Sequence, residues 1–381
     1  MRRLLVLLLF TFSAITVWAD TVAVNCNAGQ SLNSAISKLN KQGPNTVTVQ
    51  GTCTEYVKIF GFENLTVRST SGATLVQPGV VATNSFILLW INSSRSVTID
   101  GLNVSSDASK PIAIGIGGGS NDVNVRNLSV VGGSVGIFAA EHSQVAITHV
   151  TVKNAGWAYV GAVDQSQLEV FDCLLQESTG TGWHVGIEAE GSYVRTWKTT
   201  IRDMQVGIHS GYGSQIFLVD GVYGPTGGVA DVVIDNPSGT NFNGAVVEQD
   251  SFLGVSSAKL RILNAGQAWA GGDTGGIKVS GSSTLWASTN LIISGSQGQG
   301  VFVSDNSHAE LNGSSITGSQ HGGIVAVDFG TIHAAGSTPI SGNTVDVFCD
   351  ARSVITGAAN ITNANTIQCP NLVPGDIPPV P

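Results

Sequence analysis

A pattern of alternating apolar residues recurs every 22 to 23 residues through the middle of the chain: Val123-Asn-Val125-Arg-Asn-Leu128-Ser-Val130, then Val145-Ala-Ile147-Thr-His-Val150-Thr-Val152, then Leu168-Glu-Val170-Phe-Asp-Cys173-Leu-Leu175. The frame continues at Val194, Ile216, Leu285, Ala309 and Ile332, and the interval from Ile216 to Leu285 is long enough for about three coils with enlarged loops. A second run follows each first one and opens at a glycine, as in Gly136-Ile-Phe, Gly161-Ala-Val, Gly186-Ile-Glu, Gly207-Ile-His, Gly276-Ile-Lys and Gly300-Val-Phe. A turn bearing Ser143, Ser166, Ser192, Ser214, Ser307 or Gly330 then leads to the next coil. Strand-period alternation, punctuated by glycine and small polar residues and lacking a helical period, predicts stacked β-rungs. A propeller blade needs a longer repeat, and a leucine-rich repeat needs leucine-asparagine signatures that are missing. The chain therefore reads as all-β, a single-stranded right-handed parallel β-helix whose equivalent residues stack about 4.8 Å apart. Small residues such as Ala139, Ala189 and Ser210 are expected inside, where they keep the coil narrow.

Composition agrees with an elongated core. Of 381 residues, 42% are hydrophobic and 11% charged, which excludes a disordered chain and a coiled coil. Lysine and arginine number 17 against 26 aspartates and glutamates, a net charge of −9, so a nucleic-acid partner is not expected. The start, Met1-Arg2-Arg3 followed by the apolar run Leu4 to Val17 and the small-x-small sequence Val17-Trp18-Ala19, has the form of a secretory signal. The run falls short of the ~20 residues that span a bilayer, and no later segment is longer, so no membrane span is expected. The implied organisation is a signal peptide at 1–19, a cap with a short helix at 20–45, the β-helix at 46–369 and a proline-rich tail at 370–381. The product would be a monomer in an extracellular or periplasmic compartment.

Five cysteines suit that compartment, with two bridges and one thiol left over. Cys26 and Cys53 flank the first helical segment and Cys349 and Cys369 flank the last repeat, so local pairing would staple each end; the sequence leaves other connectivities open. Cys173 falls on an inward position. Ser31 caps a helix whose Leu32, Ala35, Ile36 and Leu39 share a face that can plug the first rung.

The helix from Ser31 to Leu39, the sequence Val47-Thr-Val-Gln-Gly51-Thr52-Cys53-Thr54-Glu55-Tyr56-Val57 and the aligned coils together resemble the secreted, pectate-lyase-like superfamily of right-handed parallel β-helix proteins over about Thr21 to Cys369. That resemblance implies the fold. It implies no single activity, because the superfamily holds lyases, hydrolases, esterases, tailspikes and non-catalytic surface proteins. The Asp-Asp pair and Gly-His-Gly segment of polygalacturonases have no counterpart, and His321-Gly322-Gly323 reads as a turn. Gln249-Asp250-Ser251 and Asp328-Phe329-Gly330 are similar to pieces of pectin methylesterases, but Asp250 and Asp328 are 78 residues apart and the arginine motif is missing.

In such a stack a site is a cluster of columns. Counting from the rung glycines places Phe138, Val163, Glu188, His209, Val246, Lys278, Phe302 and Val325 in one outward column, with Glu188 beside His209. A carboxylate next to an imidazole can share a proton, as acid–base work on a sugar requires, although an ordinary surface ion pair has the same signature. A second column, two residues before the turn serine or glycine, holds Glu141, Asp164, Glu190, Asp305 and Asp328. Such residues often set turns, but Glu141, Asp164 and Glu190 in successive coils would also suit a calcium ion. Trp157, Tyr159, Trp183, His184 and Trp197 lie nearby, and aromatic faces stack on sugars. The seven histidines show no spacing typical of zinc. The expectation is a secreted β-helix that binds an extracellular polysaccharide along one rung face, with lyase or hydrolase chemistry resting on Glu188, Glu190 and His209 and sugar stacking on Trp157, Tyr159, Trp183 and His184. The competing class is a non-catalytic structural or adhesive repeat.

Overall fold

The computed structural model describes residues 19–375 apart from 70, 80–85, 108–110, 178–182, 220–230, 237–242, 267–273 and 289. Residues 1–18 of the expected signal segment and 376–381 of the proline-rich tail lie outside the described residues.

The chain is a right-handed parallel β-helix. Each coil contributes one strand to a 13-stranded front sheet and the remaining strands to a 26-stranded back sheet, all paired in parallel. One coil shows the plan: Val185–Glu190 in front, then Tyr193–Trp197 and Thr200–Arg202 behind. The two back segments are separated by a bend, where one residue in each of four coils takes the left-handed conformation: Asn127, His149, Asp172 and Lys198, with φ of 56°, 54°, 51° and 47°. Asparagine, aspartate and histidine tolerate that conformation better than other residues. The corner between front and back sheets uses two consecutive left-handed residues followed by serine. Ser143, Ser166, Ser192, Ser214 and Ser251 are buried there. The Ser166 Oγ accepts from Ser143 N at 3.2 Å, Ser192 Oγ from Ser166 N at 3.2 Å, and Ser214 Oγ from Ser192 N at 3.2 Å. This serine ladder satisfies amide groups that no neighbouring strand reaches.

Inside, Ile114, Ile137, Val160, Ile187, Ile208, Ala245 and Ile277 form one continuous fully buried column. Beside it run Ala139, Ala162, Ala189 and Ser210, also fully buried as expected. Each aliphatic side chain removed from water contributes about 1.5–3 kcal/mol, repeated rung after rung. The rung glycines have a steric cause: a Cβ at Gly207 would come within 2.5 Å of Gly244 O and 2.7 Å of Ile234 Cγ2.

The cap is shorter than Ser31 to Leu39. Its helix spans Leu32–Ser37, with Leu32 and Ile36 buried and Ser31 Oγ accepting from Ser34 N at 3.1 Å. Glu55 holds the helix start by accepting from Leu32 N at 2.6 Å and Asn33 N at 3.1 Å. Bridges join Cys26 to Cys53 and Cys349 to Cys369, and Cys173 is a buried thiol. Burial pushes that thiol up to about 12, so it stays protonated and inert. Among the described residues no helix is long and apolar enough to cross a membrane.

Three frame assignments need correction. Between Ile216 and Leu285 the back sheet holds one rung, at Leu253, so two coil steps fill the interval instead of about three coils. Gly161 pairs with Phe138, and Val163 with Glu190, because Tyr159 occupies the glycine position of its coil. Finally, His321-Gly322-Gly323 leads into the front strand Gly322–Ala326 and is not itself a turn.

Candidate functional site

The outward column of the front sheet reads Trp90, Gly115, Phe138, Gly161, Glu188, His209, Val246, Lys278, Phe302, Val325 and Phe348. Strand alternation turns Ile187 and Ala189 into the core and Glu188 and Glu190 to the other face. The next column contains Val163, Glu190 and Gly211, and Glu248 follows Val247 on the neighbouring rung.

Where these columns meet, His209 is held between two carboxylates. Its Nδ1 lies 2.6 Å from Glu188 Oε1 and its Nε2 3.1 Å from Glu248 Oε1. Glu188 is 1% exposed, so a carboxylate is kept inside the protein by one cationic ring. Burial on its own would lower the His209 pKa, but the hydrogen bonds and charges of Glu188 and Glu248 outweigh it and raise the value to about 9. At neutral pH the ring is therefore doubly protonated and donates to both partners. The same contact keeps Glu248 below the usual carboxylate range, helped by Lys278. Glu190 moves the other way: partial burial and the charges of Glu188 and Asp164 favour its protonated form, against the pull of His209.

Glu190 and Glu248 stand two rungs apart with Gly211 between them, a backbone separation of about 10 Å. The His209 ring leans over Gly211, where a Cβ would come 3.3 Å from His209 Cε1, so glycine is what lets the imidazole reach across to Glu248. The arrangement sets a carboxyl whose pKa is raised and a carboxylate whose pKa is lowered on the two rungs that flank Gly211. Further along the outward column, the front sheet ends in a cavity of about 470 Å³ lined by Phe302, Val325, Phe348, Gln299, His321 and Gln368.

The structure brings Glu188, His209 and Glu190 together as expected and adds Glu248. It separates the other candidates. Glu141, Asp164, Asp305 and Asp328 have left-handed φ of 56°, 53°, 54° and 49° and set the corner turns. Glu190 does not belong with them: its turn is one residue shorter, Gly191 takes the left-handed position, and Glu190 stays in the strand. Glu141 turns back to accept from Gly118 N at 2.5 Å. The one group of three ligating residues within 4.8 Å among the described residues is Cys26, Cys53 and Glu55, whose cysteines are bridged to each other. Gln249, Asp250, Asp328 and Phe329 are left-handed corner residues, which accounts for the esterase-like sequences.

Of the aromatic set, Trp157 and Trp183 are 37% and 53% exposed and flank the front strands. Tyr159 and His184 are buried, contrary to their assignment to sugar binding. The Tyr159 hydroxyl donates to Glu177 Oε2, and His184 Nδ1 lies 3.0 Å from Ala155 O. Glu177 is itself buried, so these three residues form a polar knot inside a corner that stabilises the coil. Trp197 stacks on Phe171 across the back sheet, away from the front column.

No protein-family model matches the chain, and no curated protein matches it. Solved structures do. A variant catalytic domain of GH87 alpha-1,3-glucanase in complex with nigerose aligns with a TM-score of 0.51 at 13% identity, covering 94% of this chain and 68% of the other. PfbA, a surface adhesin of Streptococcus pneumoniae, aligns at 0.42 with 11% identity over 88% of this chain and 93% of its own. The Family 28 exopolygalacturonase of Yersinia enterocolitica aligns at 0.41 with 10% identity over 95% and 79%. The likeness to the glucanase is one of fold.

Proposed function

We propose that the protein is a secreted glycan-binding β-helix that hydrolyses a neutral polysaccharide on its front face. The observation that carries this reading is His209 clamped between Glu188 and Glu248, one column away from Glu190, whose carboxyl pKa is raised by partial burial and the neighbouring acids. Glu190 is placed to protonate the leaving glycosidic oxygen, and Glu248, across Gly211, to activate a water. Two rungs put their backbones about 10 Å apart, on the scale of the roughly 6.5–9.5 Å between carboxyls that leaves room for a water in an inverting displacement. Glu188 and His209 act as positioning residues that fix the orientation and ionisation of Glu248. Trp157 and Trp183 and the Phe302–Phe348 cavity offer sugar-stacking surfaces along the same face.

The charge count favours a neutral chain over a uronate. With Glu190 in its acid form, Glu188, Glu248 and Asp164 still outnumber one imidazolium and Lys278, so an anionic sugar would meet net repulsion. Hydrolysis therefore fits better than β-elimination, which acts on uronates.

The test is product release from a panel of neutral glucans, xylan, pectate and alginate, following reducing ends and unsaturated-sugar absorbance separately, with and without calcium. Reducing ends from a neutral glycan without new absorbance, reduced about 10²–10⁴-fold in Glu190→Gln, are the expected result. No release from any substrate would move the protein to the non-catalytic structural or adhesive class.

A further inference from the structure

The back sheet carries a second concave feature, remote from the front column. Around Ala146 the outward surface dips into a cavity of about 240 Å³ walled by Asn124, Gln144, Gln167, Glu169 and Tyr193. Its origin is a change of side-chain size along a column: Asn124, Ala146 and Glu169 pair in register on successive rungs, and the single methyl of Ala146 leaves a gap between two longer neighbours. The walls are planar amides, a carboxylate and a phenol, groups that offer donors and acceptors side by side. Glu169 is oriented by Arg195 at 2.9 Å, and Asp122 at the rim accepts from Ser96 Oγ at 2.8 Å and Asn124 Nδ2 at 3.2 Å. All of these side chains stand on or beside paired strands, which hold a site more firmly than loops do.

An aromatic ribbon continues from the cavity along the axis. Tyr193 lies 5.5 Å from Phe217, and Phe217 lies 5.2 Å from Phe252, measured between ring centroids. Gly254 separates Phe217 from Trp286 in register, and a Cβ there would come 3.0 Å from the Phe217 ring. Trp286 is 37% exposed. Half-exposed rings on successive rungs, tilted against one another by 39° and 42°, thus extend a polar, hydroxyl-matching cavity into an apolar track.

The geometry points to a non-catalytic carbohydrate-binding site on the back sheet, with one neutral pyranose seated over Ala146 and the following sugars lying on Tyr193, Phe217 and Trp286. The cavity falls just below the ~300 Å³ at which ligand pockets usually begin, which is room for one ring and not for a folded chain. Adjacent hydroxyls of a pyranose match the paired donors and acceptors of amides and carboxylates, and its C–H face matches an aromatic plane. Anionic glycans are disfavoured, because Asp122 and Glu169 are offset by Arg195 alone. Such a site would hold the protein on an insoluble glycan while leaving the front face open.

The test uses the full chain carrying Glu190→Gln, so that cutting of the probe is suppressed without disturbing His209, and measures binding of cellotetraose, maltotetraose, xylotetraose and tetragalacturonate by calorimetry and saturation-transfer NMR. At least one neutral probe is expected to bind, with saturation transfer to its C–H protons. Adding Tyr193→Ala or Ala146→Trp should weaken that binding about tenfold, the effect of one lost aromatic contact or of a filled cavity. Circular dichroism checks that each variant keeps its β-structure, and Tyr193→Ala serves alone if the larger residue at 146 disturbs the fold. A binding isotherm left unchanged by both substitutions, absence of binding by every neutral probe up to millimolar concentration, or competition by tetragalacturonate would overturn the assignment.

Discussion

Removing the imidazole at position 209 should uncover the cost of a buried carboxylate. His209 moves from 6.5 to about 9 in the folded protein, which corresponds to about 3 kcal/mol at about 1.36 kcal/mol per pH decade. Because the folded value lies above the unfolded one, this stabilisation is fully present below about pH 6.5 and is lost as pH rises through about 9. In His209→Gln, Glu188, which is 1% exposed in the native protein, loses its cation, and breaking a buried pair in this way costs about 3–5 kcal/mol. Urea unfolding followed by tryptophan fluorescence, from about pH 6 to about pH 10, should show the variant about 3 kcal/mol less stable at the acid end, with the gap closing as the native ring loses its proton. Glu188→Gln combined with His209→Gln should recover part of the loss, since no charge is then stranded. A gap equal at both ends of the range would mean that His209 stabilises by packing, and the electrostatic account of the site would fail.

Two further predictions concern the scaffold. Gly207→Ala, whose Cβ would come 2.5 Å from Gly244 O, should destabilise by about 1–3 kcal/mol, whereas Gly213→Ala, with no atom within 4 Å but a φ of 74°, should cost about 1 kcal/mol; paired urea curves decide whether the rung is as rigid as its sterics require. Replacing Cys26 and Cys53 together by serine opens a loop of 27 residues and should lower the stability of the capped end by about 3–4 kcal/mol on the chain-entropy account, read as earlier hydrogen exchange in Leu32–Ser37 than in the central rungs.

The fold was legible because a solenoid repeats one local statement: Val123, Val145, Leu168 and Val194 each mark a rung, and each stacks on the next. The pairing of Glu188 with His209 was legible for the same reason, since Gly186 and Gly207 share a frame. What failed was counting through irregular coils. A tyrosine in place of glycine at 159 displaced Val163 by two positions, and a turn shortened by one residue placed Glu190 among corner carboxylates, although it lies in a strand beside Gly211. Glu248 was missed although Val246 had fixed the frame of its rung, because the corner column is counted two residues back from the turn serine, which at Ser251 lands on Gln249. Tyr159 and His184 were misread for a different reason. An aromatic beside glycines has the same sequence signature whether it faces solvent or an internal acid, and the acid that draws these two inward, Glu177, sits at a corner with no column to mark it. In a β-helix the regular rungs therefore disclose the architecture, while the two proposed sites lie where side-chain size changes along a column, at Gly211 between two glutamates and at Ala146 between two longer side chains.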